Sequence, residues 1–103
     1  MNRETVLMNQ IMAALAGTCM VFRANVGTFK TKDGRYMATG KPKGFSDIHG
    51  HRKSDGKAFY IEVKTDEGKP TVQQRKFLKR MKETNSLAGI ARSVQDAIEI
   101  VEG

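Results

Sequence analysis

The sequence predicts an α/β fold in which helices flank a mixed β-sheet. Two observations lead to this prediction: three segments have the spacing and caps of helices, and the segments between them are short and apolar, as strands are. Their order is helix, about three strands, helix, strand and helix, which is typical of helices packed on a sheet. With 103 residues, the chain is expected to form a single domain over residues 1–103.

The helices are predicted from their apolar spacing and their ends. Residues 3–16 have apolar side chains at helical spacing and stop at a glycine. A second helix is expected to begin at Thr71, because Gln74 three residues later completes a capping box. Ser93 is the expected N-cap of the last helix, which should continue through Val101.

Apolar runs bounded by turn residues indicate the strands. Strands are expected at residues 19–26, 44–48, 59–64 and 87–91, and a hairpin turn at Asp33-Gly34. A loop over residues 49–56 should join two of these strands as antiparallel neighbours. That arrangement would place Asp47 beside Glu62.

Two acids within apolar segments are the candidate chemistry of this chain. A carboxylate in such a segment is costly unless something binds it. Because strand side chains alternate between faces, Glu62 and Lys64 should point the same way. With Asp47 on the neighbouring strand, two carboxylates and an ammonium group would then converge, which suits a metal-dependent phosphodiesterase. The alternative is a same-face ion pair on a half-exposed strand, with little energetic effect.

Three ordered motifs resemble one nuclease family. Ser46-Asp47-Ile48, Ile61-Glu62-Val63-Lys64-Thr65 and the segment 71–77 together resemble the virus-type replication-repair nuclease (VRR-NUC) domain, a branch of the PD-(D/E)XK superfamily. The resemblance is strongest over residues 40–80. It implies a restriction-endonuclease-like core and an Mg²⁺-dependent endodeoxyribonuclease, with Mn²⁺ able to substitute. It also implies a homodimer that acts on branched or Holliday-junction-like DNA.

The resemblance also assigns roles to individual residues. Asp47 and Glu62 would hold the metal together with the backbone carbonyl of Val63. Lys64 would position the attacking water or stabilise charge on the phosphate. Gln74 matches the glutamine that the family carries at the start of the following helix.

Two of these assignments have structural alternatives. Gln74 is also the capping-box partner of Thr71, and both roles can hold together. Glu4 is a possible additional acid on the first helix, but a glutamate in a first turn also complements the helix dipole. The segment Pro70-Thr71-Val72 departs from the Leu-Ser-Pro sequence that often precedes the family's glutamine.

A formal net charge of +7 indicates a polyanionic partner, although a basic protein without such a partner remains an alternative. On the second helix Arg75, Lys79 and Lys82 have the spacing of a basic ridge, which is also typical of a solvated face. The candidate DNA-binding residues are Lys30, Lys32, Arg35, Lys41, Lys43, Arg52, Lys53, Arg75 and Lys79.

Several features bear on location and on rival functions. Cys19 is the only cysteine, so an intrachain disulfide is impossible, and its apolar neighbours favour simple burial. No segment is long and apolar enough to span a membrane, and a cytoplasmic location is expected. His49 and His51 could suggest a transition-metal site, but phosphate contact by their loop is the preferred interpretation. The main rival function is a non-catalytic basic nucleic-acid-binding module, and a dimerising accessory protein is a further one.

Overall fold

The computed structural model describes residues 2–24, 28–38 and 40–103. In chain order the described elements are α1 (Arg3–Leu15), β1 (Cys19–Arg23), β2 (Thr28–Lys30), β3 (Tyr36–Ala38), β4 (Ile48–Arg52), β5 (Ala58–Val63), α2 (Val72–Glu83), β6 (Leu87–Ala91) and α3 (Val94–Glu102). Within these ranges no helix has both the length and the apolar character needed to cross a lipid bilayer.

Four strands form the main sheet in the order β1-β4-β5-β6. β4 pairs antiparallel with β1 and β5, whereas β5 and β6 are parallel. The parallel pair is possible because α2 provides the crossover that parallel strands need. β2 and β3 form a separate antiparallel hairpin around the predicted Asp33-Gly34 turn. The predicted α/β fold with a mixed sheet is confirmed.

The helices cover the two faces of this sheet. On one face α1 and α3 enclose the larger core, to which β5 contributes Phe59, Ile61 and Val63, each fully buried. On the other face α2 packs Phe77 and Leu78 against β5 and β6. The strict alternation of side chains along β5 therefore separates the two cores, as the sequence predicted.

The second and third helices begin after their predicted caps. The N-cap of α1 was not predicted: it is Asn2, whose side chain accepts a hydrogen bond from the Thr5 amide at 2.7 Å. Ser93 caps α3 through the Asp96 amide at 3.1 Å. Cys19 lies in the larger core with 2% of its surface exposed, as its apolar neighbours indicated.

The strand that follows Asp47 differs from the prediction. A strand was expected at residues 44–48 and a loop at 49–56, but β4 occupies Ile48–Arg52 and only the later part of the predicted loop is a turn. The prediction was wrong because Gly50 has the character of a turn residue. In the structure Gly50 lies in mid-strand, where β1 approaches it closely. The strand predicted at residues 19–26 ends at Arg23, and residues 25–26 lie outside the described ranges.

Gly50→Ala should strongly destabilise the fold. A Cβ atom at this position would lie 1.9 Å from the Met20 carbonyl oxygen and 3.0 Å from the Phe59 ring. We expect the free energy of unfolding to fall by about 1–3 kcal/mol or more, measured by urea denaturation. Gly17→Ala is the matched control, because nothing lies within 4 Å of its added Cβ. Equal stability of the two variants would contradict this account of β4.

Candidate active site

Asp47 lies immediately before β4, between Ala24, which follows β1, and Val63 at the end of β5. Its backbone carbonyl accepts a hydrogen bond from the Ala24 amide at 2.9 Å. Its Oδ2 atom accepts one from the Val63 amide, also at 2.9 Å. The preceding Ser46 is buried and donates its hydroxyl to the Ile48 carbonyl at 3.0 Å. These contacts fix the Asp47 carboxylate beside the end of β5.

Glu62 is a buried acid with an unsatisfied oxygen. Only 1% of its surface is exposed, and its Oε2 atom is buried without a hydrogen-bond partner. Burial first, and then the hydrogen bond to the Asp47 carboxyl and the charge of that group, together raise the pKa of Glu62 from its ordinary value of 4.5 to about 9. Such an atom is an exception in folded proteins, where buried polar groups are usually hydrogen-bonded.

Lys64 and Glu4 complete the charged surroundings of Glu62. The ammonium group of Lys64 lowers the pKa of Glu62, and the Glu4 carboxylate raises it, so both charges act at this site. The Lys64 amide donates to the Ala91 carbonyl at 3.1 Å, which fixes its backbone against β6. The structure thus brings together Asp47, Glu62 and Lys64, with Glu4 at the first turn of α1.

The donor set at this site fits a hard divalent cation. Mg²⁺ prefers oxygen ligands and keeps several waters, so two carboxylates and a carbonyl oxygen suit it. A cation would also bind the unsatisfied Oε2 atom of Glu62. Across residues 2–24, 28–38 and 40–103, no group of three or more His, Cys, Asp or Glu side chains could hold a metal. Glu4 is therefore placed near the pair but outside a shared ligand cluster.

His49 belongs to an aromatic cluster on β4. Its ring lies 5.4 Å from Phe45, 5.6 Å from Phe22 and 6.4 Å from Tyr60, measured between centroids. Burial, and then the charge of Lys41, lower the pKa of His49. The histidine predicted to lie in a loop is a packed strand residue.

Gln74 makes the predicted capping box at the start of α2. Its amide donates to the Thr71 hydroxyl at 3.1 Å, and its Oε1 atom accepts from the Thr71 amide at 2.8 Å. The structural role of Gln74 is confirmed, and its catalytic role remains a prediction.

Arg92 is a residue that the sequence reasoning missed. Its Nη1 atom donates to the Thr65 carbonyl at 2.7 Å and to the Asp66 carbonyl at 3.3 Å. These bonds hold the turn that directly follows Lys64. The residue lies between β6 and α3, more than twenty-five positions from its acceptors, and no motif or spacing marks it.

Two of the predicted DNA-binding residues lie far from Asp47. Arg52 ends β4, roughly 16 Å along the chain from Asp47. Its guanidinium donates to the Val101 carbonyl at 2.9 Å and pairs with Asp55 at 2.5 Å. Lys53 donates to the Ala16 carbonyl at 3.2 Å.

The other predicted cations fall in three places. Lys32 and Arg35 are exposed in the hairpin, where Arg35 pairs with Asp33 at 3.2 Å, and the side chain of Lys30 lies outside what the structure describes. Lys41 and Lys43 precede the Asp47 segment, and the Lys41 ammonium lies 5.1 Å from the centre of the Phe45 ring. Arg75, Lys79 and Lys82 line one side of α2, next to Gly89 and Ile90 of β6.

Comparison with solved structures finds proteins of similar fold. The chain superposes on a solved structure titled "VRR_NUC domain" with a TM-score of 0.69 and 15% sequence identity, covering 99% of this chain and 97% of that chain. The fold of this chain is therefore that of a VRR_NUC domain, as the motifs predicted. No protein-family model and no curated protein matches the sequence.

The raised pKa of Glu62 predicts how stability depends on pH. The folded protein keeps the Glu62 proton up to about pH 9, whereas the unfolded chain loses it near pH 4.5, so stability should fall as the pH rises between these values. Glu62→Gln should remove this loss and, in EDTA at pH 8, raise the free energy of unfolding by more than about 1 kcal/mol.

Thermal denaturation, measured at intervals of about one pH unit between pH 5 and pH 9, would detect this effect. Glu99→Gln is the control, because Glu99 is an exposed glutamate on α3. If wild type and Glu62→Gln lose stability in parallel as the pH rises, the buried acid does not have the raised pKa.

Proposed function

We propose that this chain is a metal-dependent DNA endonuclease that hydrolyses phosphodiester bonds at the Asp47–Glu62 site. The observation that carries the proposal is the buried, unsatisfied Oε2 atom of Glu62 beside a second carboxyl group. A purely structural acid would not be expected to leave a buried oxygen atom without a hydrogen-bond partner. The similarity of the fold to a VRR_NUC domain supports the same activity.

Each residue of the site has a defined chemical role in this proposal. Asp47, Glu62 and the carbonyl of Val63 would hold Mg²⁺, or Mn²⁺ in its place. A cation held by these residues would supply Lewis-acid chemistry: it would lower the pKa of a water ligand and neutralise charge on the phosphate. Glu62 releases its proton on becoming a ligand, because only the carboxylate form binds a metal. The hydrogen bond from the Val63 amide keeps the Asp47 carboxylate oriented.

Lys64 acts on the reacting phosphate rather than on the cation. Its ammonium group lies within electrostatic reach of Glu62, and Lys64 directly follows the end of β5. From there it can orient the attacking water or stabilise the negative charge that develops on the phosphate. Arg92 is a positioning residue, because its bonds to the 65–66 turn fix the chain just after Lys64.

The basic surface supplies the attraction for DNA. Lys41 and Lys43 lie on the segment that leads to Asp47, and α2 carries further exposed cations. Neutralising phosphates releases condensed counterions, which gives sequence-independent affinity. A non-catalytic binding module is the second candidate, supported by the net charge of +7. It explains the carboxyl pair less well, because without a cation the Asp47 carboxylate opposes phosphate binding and the neutral, buried Glu62 does not assist it.

Replacing Asp47, Glu62 or Lys64 by alanine should each reduce Mg²⁺-dependent DNA cleavage by about a hundredfold or more. Each variant removes a ligand or a charge that stabilises the transition state. Cleavage of plasmid and branched DNA in Mg²⁺, Mn²⁺ or EDTA would measure the effect, with Glu99→Ala as an exposed control. A well-folded Glu62→Ala protein that cuts as fast as wild type would refute the assignment.

We also propose that the protein acts as a homodimer on branched DNA, such as four-way junctions. One site cuts one strand, so symmetric cutting of two strands needs a second site from a two-fold partner. Met20 and Phe22 on β1 are 43% and 45% exposed and point to the same side, which makes them the favoured contact. Met8 is buried and Met12 packs against the larger core, so neither is available for this contact.

The dimer proposal predicts that Met20→Ser combined with Phe22→Ser lowers the sedimentation coefficient and the preference for a four-way junction over linear duplex. Removing apolar contact area weakens the self-association that brings two sites together. Val72→Ser is the matched control, because Val72 is 53% exposed on α2. A wild-type protein that is monomeric at micromolar concentration and cuts both DNAs equally would contradict the proposal.

A further inference from the structure

A groove lies between α2 and the loop that leads to Asp47. Its lining consists of the cations Lys43, Lys76 and Arg80, the apolar side chains Phe77 and Met81, and Pro42 and Gln73. We call the exposed cations its walls, and the buried Phe77 with the half-buried Met81 its floor. Its volume is about 270 Å³, slightly below that of most pockets that hold drug-sized ligands. We refer to these residues as the α2 groove.

The loop that leads to Asp47 lies against the start of α2. Gly44 has a φ angle of +86°, and a Cβ atom there would lie 2.5 Å from the Gln73 carbonyl oxygen. This close approach of the two backbones places Lys43, the residue before Gly44, beside the first turn of α2.

The groove combines free positive charge with an apolar floor. Lys43, Lys76 and Arg80 have no carboxylate partner among the ion pairs of the described residues. Phe77 packs against Phe45 with 4.7 Å between ring centres, so the floor is part of the smaller core. A ligand that fills this groove needs negative charge for the walls and a flat apolar surface for the floor.

An unpaired nucleotide meets both requirements. Duplex DNA presents its phosphates outward but keeps its bases stacked inside, so it would leave the apolar floor uncovered. A single strand offers a phosphate and a base together, and stacking on apolar side chains tolerates any sequence. The basic ridge Arg75, Lys79 and Lys82 on the other side of α2 has no comparable floor of aromatic side chains.

We propose that the α2 groove binds an unpaired nucleotide of the DNA strand next to the cleaved phosphate. Lys43 lies four residues before Asp47, a reach of at most about 14 Å, which matches a neighbouring part of one strand. The inference rests on the proposed function for the identity of the nucleic acid. It adds that an unpaired segment beside the cut is part of what the protein recognises.

Binding measured in EDTA tests the groove separately from cleavage. The probes are a linear duplex, the same duplex with a short single-stranded extension at either end, and that extension made of abasic nucleotides. Wild type should bind one extended duplex about tenfold more tightly than the plain duplex, and the abasic extension should lose most of this gain. Because no cleavage is required, the result stands even if the protein proves not to be a nuclease.

Two matched double variants separate the groove from general charge. The double variant Lys76→Ala/Arg80→Ala should abolish the preference for the extended duplex. The double variant Arg75→Ala/Lys79→Ala should weaken binding to all probes but keep the ratio of the affinity for the extended duplex to that for the plain duplex. Both pairs remove two charges from α2, at exposed positions. The proposal would be overturned if the two double variants had equal ratios of affinity for the extended and plain duplexes. It would also be overturned if the wild type bound the abasic extension as tightly as the normal one, or showed no preference for an extension.

Discussion

The pairing of the buried Glu62 with the half-buried Asp47 is the constraint on which the rest of this structure depends. Glu62 has its Oε2 atom in the protein interior without a partner, and Asp47 stands beside it. The sheet holds this unfavourable arrangement because β4 and β5 pair in a fixed register and the Val63 amide binds the Asp47 carboxylate. Among the described residues, the Oε2 atom of Glu62 is the one buried side-chain oxygen or nitrogen without a partner, and a strained acid of this kind is typical of functional sites.

Much of this arrangement could be predicted from sequence because its causes are local. Alternation along β5 places Glu62 opposite the larger core, and the Thr71–Gln74 capping box sets the start of α2. The strand Ile48–Arg52 could not be predicted, since a glycine such as Gly50 is typical of turns. Its place in mid-strand depends on the close approach of the Met20 carbonyl, which is remote in the chain. Arg92 and the α2 groove were missed for the same reason: their contacts join segments that are remote in the chain.

The positive charges divide according to their surroundings. Arg52 is bound to Asp55 and the Val101 carbonyl, and it mainly ties the end of β4 to α3. Lys76 and Arg80 border an apolar floor, whereas Arg75 and Lys79 line the opposite side of the same helix. The net charge of +7 is therefore distributed over several different surfaces. Only the structure distinguishes the cations that stabilise the fold from those that are available to contact a phosphate.

Isothermal titration of the metal-free protein with Mn²⁺ at about pH 8 tests the central claim most directly, because it observes the carboxyl pair without DNA. The account predicts saturable binding accompanied by release of a proton, seen as a heat that depends on the buffer. Asp47→Asn and Glu62→Gln should each abolish this binding, and the exposed control Glu99→Gln should retain it. Wild-type protein that binds no Mn²⁺, or a Glu62→Gln variant that binds it as tightly as wild type, would contradict the account.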